Sequence, residues 1–385
     1  MVALTPASAQ ELAGVLRSTA ASARPISVVG NNSKCLMGGP SQGGGVVIST
    51  SQLNRVLQYE PNDLTVSVEA GMRWADLQLL LAARGQMVAL DPPFWPRATV
   101  GGVVASNSSG PLRKSFGTAR DLVIGMQFAM LDGKIIRAGG MVVKNVAGLD
   151  MGKLIIGSFG TLAVITSVNF RLHSVPEQMK TFLFSFSELA GAIEKREAVL
   201  KSVLRPLAVD LVGPAAAARL GQRGYLLAVR AGGSPRVLDR YASELSGSRE
   251  LDGADERFFW EQIREFPAEF LRRQGGGIIL RISTSIQDLS SLLRLLSGAF
   301  VSRAASAVTY VYLNSWQSVA PIWRAAAEQG WKAVVEFAPE EIRSRQELWL
   351  PAKSATSDGF AMMKSVKQMF DPGNLLNRSR LYGRL

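Results

Sequence analysis

Hydrophobic and polar positions alternate in short runs through the first part of the chain. Residues 26–29, 46–49, 57–60 and 64–69 are rich in Val, Ile and Leu and are separated by Gly, Pro, Asn and Asp, which predicts strands of a small mixed sheet. The period then changes. Trp74, Leu77, Leu80 and Leu81 recur at spacings of three and four before Gly85, which predicts an amphipathic helix over 74–84. Residues 122–131 and 134–138 flank Asp132-Gly133, the pattern of a hairpin with a two-residue turn, and 161–172 reads as the last strand of this half.

Beyond Pro176 the units lengthen. Strands are predicted at 181–187, 225–230, 277–284, 308–312 and 332–337, and helices at 188–202, 258–266 and 287–297. That order fits an antiparallel sheet covered by helices, an α+β unit inserted between two parts of the first domain. A last helical period covers 360–369, and Asp371-Pro-Gly-Asn374 stops it.

Four loops of glycine and small residues interrupt the apolar runs. They are Val28-Val-Gly-Asn-Asn-Ser-Lys34, Ala98-Thr-Val-Gly-Gly-Val-Val-Ala-Ser-Asn-Ser-Ser-Gly110, Lys144-Asn-Val-Ala-Gly-Leu-Asp150 and Gly157-Ser-Phe-Gly-Thr-Leu-Ala-Val-Ile165. Glycine on a loop lets main-chain N–H groups approach a ligand closely, and bare amides of this kind receive a pyrophosphate. The loops therefore point to a dinucleotide.

Composition narrows the chemistry. With 47% hydrophobic and 19% charged residues over 385 positions, the chain has the makeup of a packed protein rather than a disordered one. No apolar run reaches membrane-spanning length, and Met1 to Gln10 lacks the charge-then-apolar pattern of a secretory signal, so a cytoplasmic location is expected. Cys35 is the sole cysteine, which excludes an internal disulfide and any multi-thiolate metal or iron–sulfur site; it reads as a small buried filler. His173 is the sole histidine, so no site needing two imidazoles can be built, no metal site is expected, and His173 itself reads as a boundary residue. The formal charge of +12 is spread along the chain without a basic run or a nucleic-acid motif. It favours an acidic partner, an anionic substrate or an anionic membrane surface over nucleic acid, with peripheral association at the inner face of the membrane as a corollary.

Taken in order, Val68-Glu-Ala-Gly71, Ala82-Ala-Arg-Gly-Gln86, Pro92-Pro93, Ala98-Thr-Val-Gly-Gly102, Ser109-Gly-Pro111, Arg120-Asp121, Lys144-Asn-Val-Ala-Gly148, Gly157-Ser-Phe-Gly-Thr-Leu162 and Lys367-Gln-Met-Phe-Asp-Pro-Gly-Asn-Leu-Leu-Asn377 form a distinctive series. The series resembles the FAD-linked oxidase superfamily with the vanillyl-alcohol-oxidase type of flavin domain, also called PCMH-type. Within it, the resemblance is nearest to the flavin-binding E subunits of glycolate oxidases. It is strong over about residues 20–176, weak over 180–350, and returns at 360–378.

The resemblance implies an α+β fold: a two-part FAD-binding domain of the PCMH type with an inserted antiparallel-sheet α+β cap domain. The expected boundaries are 1–176 for the FAD-binding domain, 177–350 for the cap, and 351–385 for a segment returning to the first domain. FAD is implied as the cofactor. Gly30, Asn31, Asn32, Ser33 and Lys34 match the first pyrophosphate loop, where an asparagine can take the left-handed backbone that glycine usually supplies. Thr99, Val100, Gly101, Gly102, Ser106, Asn107, Ser109 and Gly110 match a second loop whose hydroxyls and amides face phosphate, ribityl and ring oxygens. Asn145 and Gly148 match a third contact, and Gly160, Thr161 and Ile165 the turn and strand at the adenine end. Asn377 matches the last flavin-side contact, although Asn377-Arg-Ser-Arg380 departs from the family's Asn-Pro-Gly.

Oxidising a 2-hydroxy acid needs a hydride acceptor, a base for the hydroxyl proton and a cation for the carboxylate. The superfamily commonly uses histidines there, which this chain lacks, and the loops hold no histidine for covalent attachment, so FAD is expected to bind non-covalently. Two readings follow. In the first, the chain is the FAD-binding subunit of a glycolate-oxidase-like 2-hydroxy-acid dehydrogenase complex, supporting or relaying electrons beside a catalytic flavoprotein subunit and an iron–sulfur subunit. In the second, it is a self-sufficient glycolate or D-lactate dehydrogenase with an unidentified Tyr, Lys or Glu base. Arg230 and Arg281 can hold a carboxylate or serve as salt-bridge partners. A reductase of a nucleotide-sugar enol ether is a weaker third reading, because no distinct substrate motif is visible.

Overall fold

The computed structural model describes residues 3–40, 45–141, 150–273, 276–350 and 359–385. The segment Val56–Glu60, Thr65–Glu69, Val164–Arg171, Val123–Ala129 and Ile135–Gly139 forms, in that spatial order, a five-stranded antiparallel sheet. Its inner face carries Val66, Val68, Phe128, Val168 and Phe170 against Trp74, Leu77 and Leu81 of the helix Trp74–Ala82, and against Val100, Val103 and Val104 of Val100–Ala105. Burying this apolar stripe fixes the second glycine loop, whose short helix Val100–Ala105 packs on that face.

Ile26–Val29 and Val46–Ser49 do not join that sheet. They pair in parallel, flanked by single bridges from Leu4 to Ile48 and from Leu376 to Ile26. The expected single mixed sheet is thus two separate sheets, and the C-terminal segment returns to dock on the first strand. The hairpin also differs from expectation. Gly133 N–H bonds to Met130 C=O at 3.0 Å, Met130 N–H bonds to Lys134 C=O at 2.8 Å, and Gly133 takes φ +84°. This is a three-residue loop with a type I turn and a left-handed glycine, not a two-residue turn.

The second half contributes an eight-stranded antiparallel sheet. Its spatial order is Arg249–Asp252, Gln178–Phe186, Tyr225–Gly233, Ala208–Val212, Ala299–Arg303, Val308–Leu313, Ile278–Ser283 and Lys332–Phe337. Alternation sends Phe182, Leu211 and Leu280 to one face, packed with Ala192, Leu238, Leu289 and Ala326 of the covering helices. Leu183, Val212 and Ile279 go to the other, packed with Phe259, Ile263 and Phe270 of the long helix Gly253–Arg273. That helix was expected to stop before Pro267. It continues because Phe266, Pro267, Phe270 and Leu271 are all buried, which outweighs the hydrogen bond lost at the proline.

The sheet's last strand carries a bulge. Ile279 faces Phe337 and Leu280 faces Val335, which leaves Glu336 as an extra residue without an opposite. Val335 accordingly packs in the first core and Phe337 in the second, although regular alternation would place them on the same face. The outer edge of this strand is covered by the first glycine loop: Met37 pairs with Phe337, and Ala338 N–H bonds to Leu36 C=O at 3.1 Å.

Candidate functional site

Two open cavities lie where the halves meet. The first is walled by the strand Ile26–Val29, by Gly30, Asn31, Asn32, Ser33, Lys34 and Cys35, by Thr99, Gly101, Gly102 and Ser106, by Gly160 and Ile165, and by Asn377 and Arg380. Twelve of the expected site residues, drawn from the first, second and fourth loops and the C-terminal segment, therefore converge on one cleft. Asn107 and Ser109 border the second cavity instead, together with Ser106. Val100, Gly110 and Thr161 line neither: Val100 is in the core, Gly110 packs on Asp91, and the Thr161 hydroxyl donates to Ser158 C=O at 2.7 Å. Asn145 and Gly148 lie outside the described residues.

The two principal loops do different work. Among the described residues, no hydrogen bond engages the main-chain N–H groups of Asn31 to Cys35, and Asn32 takes φ +49°, the left-handed backbone expected of it. A run of consecutive amides left open beside a cleft fits the oxygens of a diphosphate. The second loop uses its amides internally. Val100 N–H bonds to Met72 C=O at 2.9 Å, Gly101 N–H to Ala70 C=O at 2.7 Å, and Gly102 N–H to the Thr99 hydroxyl at 3.2 Å. Over Val100 to Gly102 this loop keeps its amides for itself, while its glycines supply a floor without side chains; a Cβ on Gly30 would collide with the Thr99 hydroxyl.

Asn377 lines the cleft with both polar ends occupied. Its Oδ1 accepts from Val28 N–H at 2.7 Å, and its Nδ2 donates to Phe159 C=O at 2.8 Å, so it ties the first strand to the Gly157–Gly160 turn. Behind it, the Lys367 ammonium donates to Thr161 C=O at 2.8 Å, Leu376 C=O at 3.0 Å and the Asp371 carboxylate at 2.6 Å. Arg380 was not anticipated. Its guanidinium reaches Gly39 C=O at 3.0 Å and Lys34 C=O at 3.3 Å, and burial lowers its pKa to about 10. The only sequence signal for it is the Arg-Ser-Arg that replaces the family's Asn-Pro-Gly.

Cys35 is exposed and lines this cleft, so its expected role as buried filler is wrong; the loop's open backbone turns the side chain outward. Lys34 carries a Nζ that is enclosed and without a hydrogen-bond partner among the described residues. Burial lowers its pKa to about 8, opposed by Glu336 and Glu265.

The second cavity shares Ser106 and Phe159 with the first. Its remaining walls come from the bulged sheet and its neighbours, with Arg113, Arg264, Arg281, Arg303, Tyr310, Glu336 and Tyr382 as polar groups. Arg303 is paired with buried Asp210, and Arg264 bonds to Glu265 at 3.0 Å. Arg281 Nε lies 3.4 Å from Glu336 Oε2 and its Nη2 3.5 Å from the Tyr382 hydroxyl; burial disfavours this cation, but Tyr382, Glu336 and Tyr310 outweigh that and raise its pKa. Arg113 has no carboxylate partner among the described residues. Burial raises the Glu336 pKa against the pull of Arg281, Lys34 and Arg113. Arg230, the other arginine singled out, is instead committed to Glu256 at 2.7 Å.

His173 opens the two-residue strand His173–Ser174 and pairs with Met87; its ring lies 4.8 Å from that of Phe116, and burial lowers its pKa. It borders neither cavity. Among the described residues there is no cluster of His, Cys, Asp and Glu able to hold a metal, and no helix long and apolar enough to cross a membrane.

A family model described as an FAD binding domain matches residues 2–139. Glycolate oxidase subunit GlcE of Escherichia coli strain K12 is 30% identical over 252 residues, covering 65% of this chain and 67% of that protein. Glycolate oxidase subunit GlcD of Bacillus subtilis strain 168 is 22% identical over 420 aligned positions, covering 99% of this chain and 88% of that protein. In fold, substrate-bound p-cresol methylhydroxylase superposes with a TM-score of 0.77 at 15% identity, covering 99% of this chain and 88% of that one.

The α+β fold, the amide-lined cleft and these relatives define an FAD-dependent oxidoreductase. The chain belongs to the FAD-linked oxidase family, with the PCMH-type flavin-binding domain.

Proposed function

We propose that this chain is the FAD-bearing subunit of a 2-hydroxy-acid dehydrogenase complex of the glycolate-oxidase kind, binding FAD non-covalently and taking a small 2-hydroxy acid as the complex's substrate. The observation that carries this reading is the junction of the two cavities at Ser106 and Phe159: an amide-lined cleft suited to a diphosphate opens into a chamber of arginines suited to a small organic acid. In this reading residues 1–176 and 351–385 hold the FAD and 177–350 form the cap. The amides of Asn31 to Cys35 would hold the diphosphate, with Gly101 and Gly102 leaving room for it, and Ser106, Asn107 and Ser109 would serve the flavin end. Bound FAD supplies acceptance of a hydride; the chain's own groups orient the acid and exclude water.

The relatives named as glycolate oxidase subunits support a complex with a catalytic flavoprotein subunit and an iron–sulfur subunit. The +12 charge supports an acidic partner or an anionic membrane surface on the cytoplasmic side. A second reading, a dehydrogenase complete in itself, is favoured by Arg281, Arg113 and Glu336 meeting in one chamber without any histidine. Anaerobic addition of glycolate, then D-lactate, to the FAD-loaded chain separates the two. Bleaching of the flavin by the chain alone establishes the second reading, bleaching only with partner subunits supports the first, and no bleaching in either case removes the hydroxy acid from both.

A further inference from the structure

Glu336 is the residue that the bulge singles out. An ordinary ladder would place its neighbours Val335 and Phe337 on one face, yet they pack in opposite cores, and Glu336 is left unpaired at the wall of the second cavity. Bulges of this kind re-aim a side chain at a site. The side chain is only 11% exposed, and its Oε2 makes no hydrogen bond among the described residues. Burying this carboxylate is costly, and the cations around it, with Arg281 Nε 3.4 Å from Oε2, offset that cost without giving Oε2 a hydrogen bond. Around it stand Arg281 from the neighbouring strand, Tyr310 from the strand beyond, Tyr382 from the C-terminal segment, Arg113 beneath, and Lys34 from the first glycine loop.

We propose that Glu336 is the group that accepts the hydroxyl proton of a small 2-hydroxy acid whose carboxylate is held in this cavity by Arg281 and Arg113. The inference rests on the hydroxy-acid reading above and adds to it the base that histidine does not supply. The balance is complete: the O–H bond breaks and its proton passes to the Glu336 carboxylate, the C2–H bond breaks and its electron pair leaves as hydride to the FAD, which is reduced, and C2–O becomes a carbonyl. Tyr310 and Tyr382, kept protonated by burial, remain donors to the acid's oxygens. Burial also raises the affinity of Glu336 for a proton, which brings a carboxylate nearer to the range where it can take one and release it again.

The test uses the FAD-loaded full chain, with partner subunits where reduction requires them, and compares wild type, Glu336→Gln, Glu336→Asp and Arg281→Met. Oxalate, a redox-inert anion, serves as the binding probe. Its negative charge repels an ionised Glu336, so oxalate binding to wild type weakens as pH rises through the Glu336 titration, whereas Glu336→Gln binds it with that dependence gone. Glu336→Gln slows flavin reduction by about a hundredfold or more with FAD loading intact. Glu336→Asp recovers part of the rate, and Arg281→Met loses oxalate binding. Wild-type reduction by a hydroxy acid with Glu336→Gln equally fast overturns the assignment while leaving the hydroxy-acid reading in place. An unchanged pH dependence of oxalate binding in Glu336→Gln also overturns it. A wild type that loads FAD but is reduced by no 2-hydroxy acid, alone or with partners, overturns both.

Discussion

The main-chain N–H of Gly38 donates to the carbonyl of Glu336 at 2.9 Å, linking the end of the first glycine loop to the bulge of the eight-stranded sheet. Gly38 can serve there because it takes φ +66° and because a Cβ would strike the Arg380 carbonyl. The loop whose Asn31 to Cys35 amides have no partner among the described residues is thus tied to the strand that presents Glu336.

Gly30→Ala should weaken FAD binding while leaving the chain folded. The new methyl meets the Thr99 hydroxyl, which accepts from Gly102 N–H and caps Val100–Ala105. Displacing such a cap costs about 1 kcal/mol. A fall of a few degrees in the apoprotein's Tm with at least roughly tenfold weaker FAD binding is expected, since a lost 1.4 kcal/mol in the complex is a factor of ten. Unchanged FAD affinity by calorimetry would place the diphosphate elsewhere.

Lys367→Met should destabilise the protein by about 3–5 kcal/mol, the scale for removing one partner of a buried ion pair. The substitution leaves the carbonyls of Thr161 and Leu376 without their donor and Asp371 with only the amides of Leu375 and Leu376. Because those groups hold Asn377 in place, proteolysis should cut first in the C-terminal segment. Urea midpoints and the order of fragments check both parts.

How much of this was legible beforehand depends on how local each signal was. Runs such as Ile26–Val29 and Lys332–Phe337 were read at their observed bounds, because period-two alternation next to turn residues is a short-range signal. Ala9–Ala21 went unread although Ser8 accepts from Glu11 N–H at 3.1 Å, a cap signature visible in the sequence. Ala208–Val212 and Ala299–Arg303 also went unread, being short and buried on both faces, with no alternation to show. That the glycine loops meet in one cleft was legible because glycine marks loops one by one. Of the second cavity only Ser106, Asn107, Ser109 and Arg281 were singled out: Arg113, Arg303, Tyr310 and Glu336 join them from four other elements, and strand order in the sheet, which brings them together, leaves no trace in local pattern. The bulge at Glu336 depends on the partner strand and was equally hidden.

Asp91 should make stability fall as pH rises through the weakly acidic range. Burial raises its pKa to about 6 from an ordinary 3.8, against the hydrogen bond from Leu112 N–H at 3.0 Å and the pull of Arg303 and Arg230. A carboxyl with a raised folded-state pKa binds its proton more tightly in the native state, so its contribution is fully present below pH 3.8 and is lost as pH climbs to about 6. The difference between the folded and unfolded proton affinities is worth about 3 kcal/mol. Asp91→Asn keeps an oxygen for Leu112 and should flatten the urea-stability profile between those two values; an unaltered slope would show that Asp91 is not its source.

Cys35 gives a readout of occupancy that needs no catalysis. Its thiol is exposed at the wall of the first cleft. A maleimide should label it in the native apoprotein, and saturating FAD should slow labelling at least about tenfold, because a bound ligand shields the groups that it covers. Equal rates with and without FAD would mean that the cofactor leaves this loop uncovered.

The most direct test of the account is a crystal structure of the FAD-loaded chain soaked with oxalate. It should show the diphosphate against the amides of Asn31 to Cys35, the flavin ring at the junction marked by Ser106 and Phe159, and oxalate on Arg281 and Arg113 beside Glu336. A diphosphate remote from the first loop, or an oxalate absent from the arginine chamber while the flavin is in place, would contradict it.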